Sequence, residues 1–398
     1  MKKIILPILT ISFALFTSTS ANAVNLTVGN ILVERVGNGT TALTSAATDI
    51  AVLEFTTSGS AIQTISFPST GATQQTDSGS ASSNGYLNSY NGFVAVTGYN
   101  NPSGTASVAS QNTKLTSVLD NTGAVVNRTT YPTGGPTGTP VSPFSGNNLR
   151  SAIATGSNTF YASGTASLTP NTGGVWYSDG ASFTQISSTA TGQPTNLRNV
   201  EIFNNQLYVS SSTTGFLGIS KIGTGLSTTS GQTTSLEINM GTGASPYGFV
   251  MFDTNRDSLL DTAFIADDRT AAGGGLQKWT FNGSAWVNSY SLRFDAAAGS
   301  LSATATTGFA GIRGLTGSYD DATGFTLFAT TTEASNNRIV SIVDNGTNPG
   351  TYTTLASAGA NNVFRGIDIV TVPEPSSAAL LGLGFLALLG VRRLNRKA

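Results

Sequence analysis

The feature that most constrains this chain is a strand grammar that returns four times. Residues 149–155, 159–163 and 174–178 make one copy, and 197–203, 206–210 and 216–220 a second. Residues 247–252, 262–266 and 275–279 make a third, and 312–317, 325–329 and 338–341 a fourth. Three of the four open on a large aliphatic residue followed by arginine: Leu149-Arg150, Leu197-Arg198 and Ile312-Arg313. A degraded copy starts near Tyr86. Each unit adds a fourth apolar segment, as at 182–186 and 285–292, so the unit is a four-stranded meander of about 50 to 60 residues. The segments are rich in Val, Ile, Phe, Tyr and Thr and are separated by Gly, Asn, Ser and Asp. No run of twelve residues with helical periodicity precedes the C-terminal tail.

The two ends of this repeating body complement each other. Residues 363–370 match only the first strand of a unit, whereas 30–36, 49–55 and 62–67 supply the remaining three. Closing a ring by completing one unit from both termini removes the exposed sheet edges that otherwise invite aggregation. The expected fold is therefore all-β, a β-propeller of about six four-stranded blades closed by a composite N/C-terminal blade and spanning residues 24–371. Seven blades would result if residues 71–84 hide strands. A parallel β-helix is the alternative architecture, although its turns would be much shorter than this period. The pattern resembles the repeat propellers of exported bacterial proteins over nearly all of the body.

The ends beyond the body read as addresses. Met1-Lys2-Lys3, the apolar run 4–16 and Ala21-Asn22-Ala23 have the layout of a signal peptide, residues 1–23, cleaved after Ala23. At the other end, residues 372–376 read Val-Pro-Glu-Pro-Ser, 378–391 are apolar, and Arg392, Arg393, Arg396 and Lys397 follow. Pro373 and Pro375 hold the residues before them extended. The fourteen apolar residues rise roughly 21 Å as a helix, short of a ~30 Å hydrocarbon core, which suits a transient anchor with its basic end left in the cytoplasm. Residues 372–398 closely resemble the C-terminal sorting signal of PEP-CTERM proteins. That resemblance implies Pro373, Glu374 and Pro375 as the sorting motif, an exosortase-type processing enzyme as partner, membrane attachment through a short C-terminal transmembrane helix before processing, and export to the envelope or extracellular matrix of a Gram-negative bacterium. An ordinary membrane anchor without processing is the plainer alternative.

Composition removes several classes of function. With the address segments set aside, 13 basic and 19 acidic residues remain, a net charge of minus six, which leaves no basic face for nucleic acid. The chain has neither cysteine nor histidine. Ser-His-Asp and Cys-His catalysis and the usual zinc sites are thereby excluded.

Two constellations carry chemistry. Asp253, Asn255, Asp257 and Asp261 put oxygen ligands at positions 1, 3, 5 and 9 of one loop, a spacing that resembles EF-hand-like and FG-GAP-type calcium loops. Ser258 stands where such loops normally have glycine, and Phe264 where the EF-hand has its bidentate acid. A solvated acidic turn is the preferred alternative, so no cofactor is required and calcium is the only candidate. Arg150, Arg198, Arg313 and Arg365 recur at the start of the innermost strands and would line one mouth of a central channel. They would either hold the carboxylates or sulfates of an acidic polysaccharide or, the preferred reading, bond to loop carbonyls or to an acid such as Asp368 and lock blade to blade. Trp279 reads as core filling. The function expected from all this is a non-enzymatic exported propeller presenting a binding or structural surface to polysaccharide or protein. A glycan lyase or glycosidase using carboxylates or calcium is the alternative, and two carboxylates facing one cleft would mark it.

Overall fold

The computed structural model describes residues 24–134, 141–295, 299–303, 309–346 and 348–371. The expected signal peptide with Ala21 and Ala23, the motif Pro373-Glu374-Pro375 and the apolar segment 378–391 lie outside these residues. Among the described residues secondary structure is almost wholly β, with one short 3-10 turn, Val108–Ser110, and no helix is long and apolar enough to cross a membrane.

The strands are arranged as a propeller. Four sheets stand as separate blades, each an antiparallel meander. They begin with the strands Leu149–Ala154, Val200–Phe203, Pro246–Phe252 and Ile312–Asp320. The third of them adds the short strands Ser300–Ser302 and Phe309–Ala310 at its rim.

The expectation of about six separate four-stranded blades is corrected by the fifth sheet, which is a single sheet of nine strands. Its join is Thr76–Ser78, inside the Ser/Thr/Gly-rich stretch that reads as loop. Asp49 pairs with Thr76, which in turn pairs with Tyr99, so the strand sets on either side merge. Pairing within the sheets is antiparallel, which excludes the β-helix. The last strand, Val363–Ile369, pairs with the first, Ile31–Val36, in the register Val33 to Ile367 and Val36 to Val363, so the termini of the body close one sheet together.

Six strands face the axis in sequence: Asn88–Tyr90 and Val363–Ile369 from the nine-stranded sheet, and the first strand of each separate blade. They approach more closely than side chains normally permit. A Cβ on Gly366 would lie 2.2 Å from the Leu87 amide nitrogen, and one on Gly248 would lie 2.7 Å from the Arg313 carbonyl. Glycine there lets neighbouring inner strands meet backbone to backbone. Away from the axis, alternate residues of facing sheets interdigitate, as where Phe264, Leu276, Phe294, Phe325 and Leu327 pack in one cluster. Outermost strands such as Ala61–Ser66 face solvent.

Candidate functional site

The four arginines are brought to the axis, as their shared place in the repeat implies. Arg150, Arg198 and Arg365 each reach the next strand set around the ring, whereas Arg313 reaches back to the preceding blade. Arg150 donates to Asn196 Oδ1 and, at 3.1 Å, to the Leu197 carbonyl. Arg198 donates to Ser245 Oγ at 3.0 Å and to the Pro246 carbonyl at 2.7 Å. Arg365 donates to the carbonyls of Ser78 and Gly79 at 3.0 and 3.1 Å. Arg313 pairs with Asp268 at 3.2 Å. Asp368, expected as an arginine partner, has no such contact among the described residues and is taken up by other donors described below.

Between the guanidinium groups the rings of Tyr86 and Tyr247 lie 6.2 Å apart and fill the axis. Arg198 sits 3.9 Å and Arg313 5.5 Å from the Tyr247 ring centre. Burial, aided by the charge of Arg198, pushes Arg150 down to about 10. Burial also lowers Arg365, which faces the carboxyls of Glu34 and Asp77; burial raises the pKa of both acids. A cavity of about 210 Å³ opens beside them, lined by Asn84, Tyr86, Arg313, Glu333 and Arg365 among others.

The other end of the axis is acidic. Asp368 Oδ2 accepts from the Ser89 amide at 2.6 Å, and its Oδ1 accepts from Thr316 Oγ1 at 2.7 Å and from the Ile369 amide at 2.8 Å. Burial nevertheless raises Asp368 to about 6. Glu201 projects from the inner strand Val200–Phe203 and is 9% exposed. Its Oε1 accepts from Asn199 Nδ2 at 2.9 Å. Burial and then the charge of Asp368 hold its pKa well above the ordinary range. The two acids share a cavity of about 320 Å³ with Tyr90, Phe203, Phe249 and Thr316 in its wall. Asn88 ties neighbouring inner strands together, donating to Ser151 Oγ, Asn199 Oδ1 and the Val200 carbonyl.

Sequence reasoning did not find this pair. Its only local signal is an acidic residue, Glu201 or Asp368, among the apolar residues of an inner strand, three positions after the recurring arginine in both cases.

The loop 253–261 joins the first two strands of the third separate blade. Its carboxylates accept from the loop's own amides: Asp253 from Ser258 at 2.8 Å, Asp257 from Leu259 at 2.8 Å, and Asp261 from Thr254 at 2.9 Å. Asn255 Nδ2 donates to Asp257 Oδ2 at 3.2 Å. Ser258 adopts φ of 73°, the left-handed turn that glycine normally makes in such loops. Among the described residues no group of three or more acidic side chains converges closely enough to hold a metal. Trp279 is buried within its blade, its Nε1 donating to Gln277 at 3.0 Å.

Residues 371–396 match the model of the PEP-CTERM protein-sorting motif, so the chain carries that motif at its C-terminus. No curated protein matches the chain. Among solved structures, the GH74 xyloglucanase from Xanthomonas campestris is similar at 13% identity and a TM-score of 0.39, over 83% of this chain and 46% of that one, less than half its length. AofleA from Arthrobotrys oligospora is similar at 10% identity and a TM-score of 0.31, over 88% and 92% of the two chains. The Bacteroides ovatus xyloglucan PUL GH43B is similar at 10% identity and a TM-score of 0.24, over 84% and 95%.

Proposed function

We propose that this is an exported, exosortase-processed protein of the cell envelope or extracellular matrix whose propeller body is a non-enzymatic module presenting a binding surface to polysaccharide or protein. The observation that carries the reading is the sorting motif at residues 371–396, which implies processing by an exosortase-type enzyme and delivery to the envelope. The arginine end of the axis supports it. Three of its four guanidinium groups bond to neighbouring backbone carbonyls and the fourth to Asp268, around the rings of Tyr86 and Tyr247, an arrangement suited to holding the blades rigid under an outward-facing surface.

A second reading, a glycan-cleaving enzyme, is favoured by one feature. Glu201 and Asp368 face one cavity and both have raised pKa values, as a general acid and its partner would. One experiment separates the two. The full-length chain is followed in a bacterium with and without an exosortase-type enzyme, and the cells are fractionated. A processed body that stays with the matrix and is displaced by added matrix polysaccharide is the expected result. A body released freely into the medium overturns the binding reading, and new reducing ends on the polysaccharide replace it with the enzymatic one.

A further inference from the structure

The acidic cavity has a chemistry of its own. Two carboxylates face it, yet no lysine or arginine is among the residues that line it. Asp368 is saturated by three donors. Glu201 is different: nine-tenths buried, it spends only Oε1, on Asn199, and its Oε2 has no hydrogen-bond partner among the described residues. Burying an ionised carboxylate without a full set of partners is costly, and a cationic ligand donating to that oxygen would offset the cost. The walls narrow the choice of cation. Tyr90, Phe203, Phe249 and Ile369 offer ring faces and aliphatic surface, which suit the carbon skeleton of an organic cation and attract its charge. A hard divalent ion wants six to eight converging oxygens, and among the described residues no group of three or more acidic side chains converges to hold one.

We infer that this cavity binds a primary ammonium group carried on a hexose-sized or shorter carbon skeleton, with Glu201 as its anion and the hydroxyls of Ser89, Thr316 and Ser318 in the same lining. The inference specifies a ligand class for the binding module proposed above, but the cavity is a site whether or not the body also holds a polysaccharide at another surface. The raised pKa values of Glu201 and Asp368 agree with it, because a bound cation would draw both acids back toward ionisation and binding would release protons. The titratable groups facing the cavity are Glu201, Asp368 and Tyr90.

The test is calorimetric titration of the full-length chain, solubilised in neutral detergent, with glucosamine, N-acetylglucosamine and n-butylamine near pH 7, where both amines are largely ammonium ions. Glucosamine or butylamine is expected to bind, N-acetylglucosamine to fail, and Glu201→Gln to weaken binding at least tenfold with the melting temperature retained. Tighter binding of glucosamine identifies an amino sugar as the source of the amine, and tighter binding of butylamine an alkylamine. Equal binding of glucosamine and its acetylated form, or no binding of either amine at millimolar concentration, overturns the proposal without variants. Loss of matrix retention alongside intact amine binding would overturn only the polysaccharide reading.

Discussion

The guanidinium of Arg198 lies 3.9 Å from the centre of the Tyr247 ring while its Nη1 donates to the carbonyl of the preceding residue, Pro246. One side chain thus grips the neighbouring blade by its backbone and by its aromatic plug. Both contacts depend on a planar, permanently charged fork. Arg198→Ala is expected to cost about 3 kcal/mol and Arg198→Lys about half as much, read by urea denaturation of the full-length chain. A loss below ~1 kcal/mol for the alanine variant would leave the arginine without a locking role.

A second lock lies between the third and fourth separate blades. Lys278 Nζ pairs with the fully buried Asp344 at 2.8 Å, and Tyr290 donates to the same oxygen at 2.7 Å. The ammonium also lies 5.0 and 5.5 Å from the ring centres of Phe325 and Phe264. Asp344→Ala strands a cation among apolar rings and is expected to cost about 3 to 5 kcal/mol. The double variant Lys278→Met, Asp344→Leu should recover most of that loss, and failure to do so would place the energy in Tyr290 instead.

The parts of this fold that were legible share a local cause. Strands such as Leu149–Ala154 and Gln206–Ser211 announce themselves by β-forming residues between turn residues, and the arginine that follows Leu149, Leu197 and Ile312 marks the innermost strand because each unit repeats the same job. Thr76–Ser78 was not legible. It has little β-propensity of its own and forms because Ala47–Phe55 and Phe93–Tyr99 offer it free edges on both sides. The acidic cavity was hidden for a different reason: Glu201 and Asp368 meet only when the ring closes, and no spacing along the chain encodes a contact across an axis.

Ser258 holds a left-handed backbone without being glycine, at φ of 73°. Its amide is used by Asp253, and that bond does not need a side chain. Ser258→Gly is therefore expected to stabilise the chain by up to about 1 kcal/mol, seen as a higher melting temperature. A lower one would mean that the flexibility gained by the unfolded chain outweighs the strain removed.

Lys114 is completely buried, its Nζ donating to the Gln111 carbonyl at 2.5 Å, and burial brings it down to about 7. An unfolded lysine titrates near 10.4. Between these values the unfolded chain binds a proton that the folded chain does not, so stability rises as pH is raised from about 7 to about 10, by an amount on the order of 4 kcal/mol. Lys114→Met should flatten that rise while leaving the acid limb unchanged. An equal rise in the variant would assign the effect elsewhere.

Asp368 gives the opposite slope. An unfolded aspartate titrates near 3.9, whereas this one holds its proton to about 6. Between the two values the folded chain binds more protons than the unfolded chain, so stability is greatest at the acid end and falls as pH rises from about 4 to about 6. Solvent reaches part of the carboxyl, which limits the change to about 2 kcal/mol. Glu201, Glu34 and Asp77 are raised as well and push in the same direction, so only a variant isolates the share of one acid. Denaturation midpoints at pH 4, 5, 6 and 7 should show a shallower fall in Asp368→Asn than in the parent. Saturating amine should make the parent's fall shallower too, because the bound cation favours the ionised cavity that the empty fold resists. A parent whose stability rises over this range would mean that Asp368 is held ionised by Ser89, Thr316 and Ile369, with their hydrogen bonds outweighing its burial.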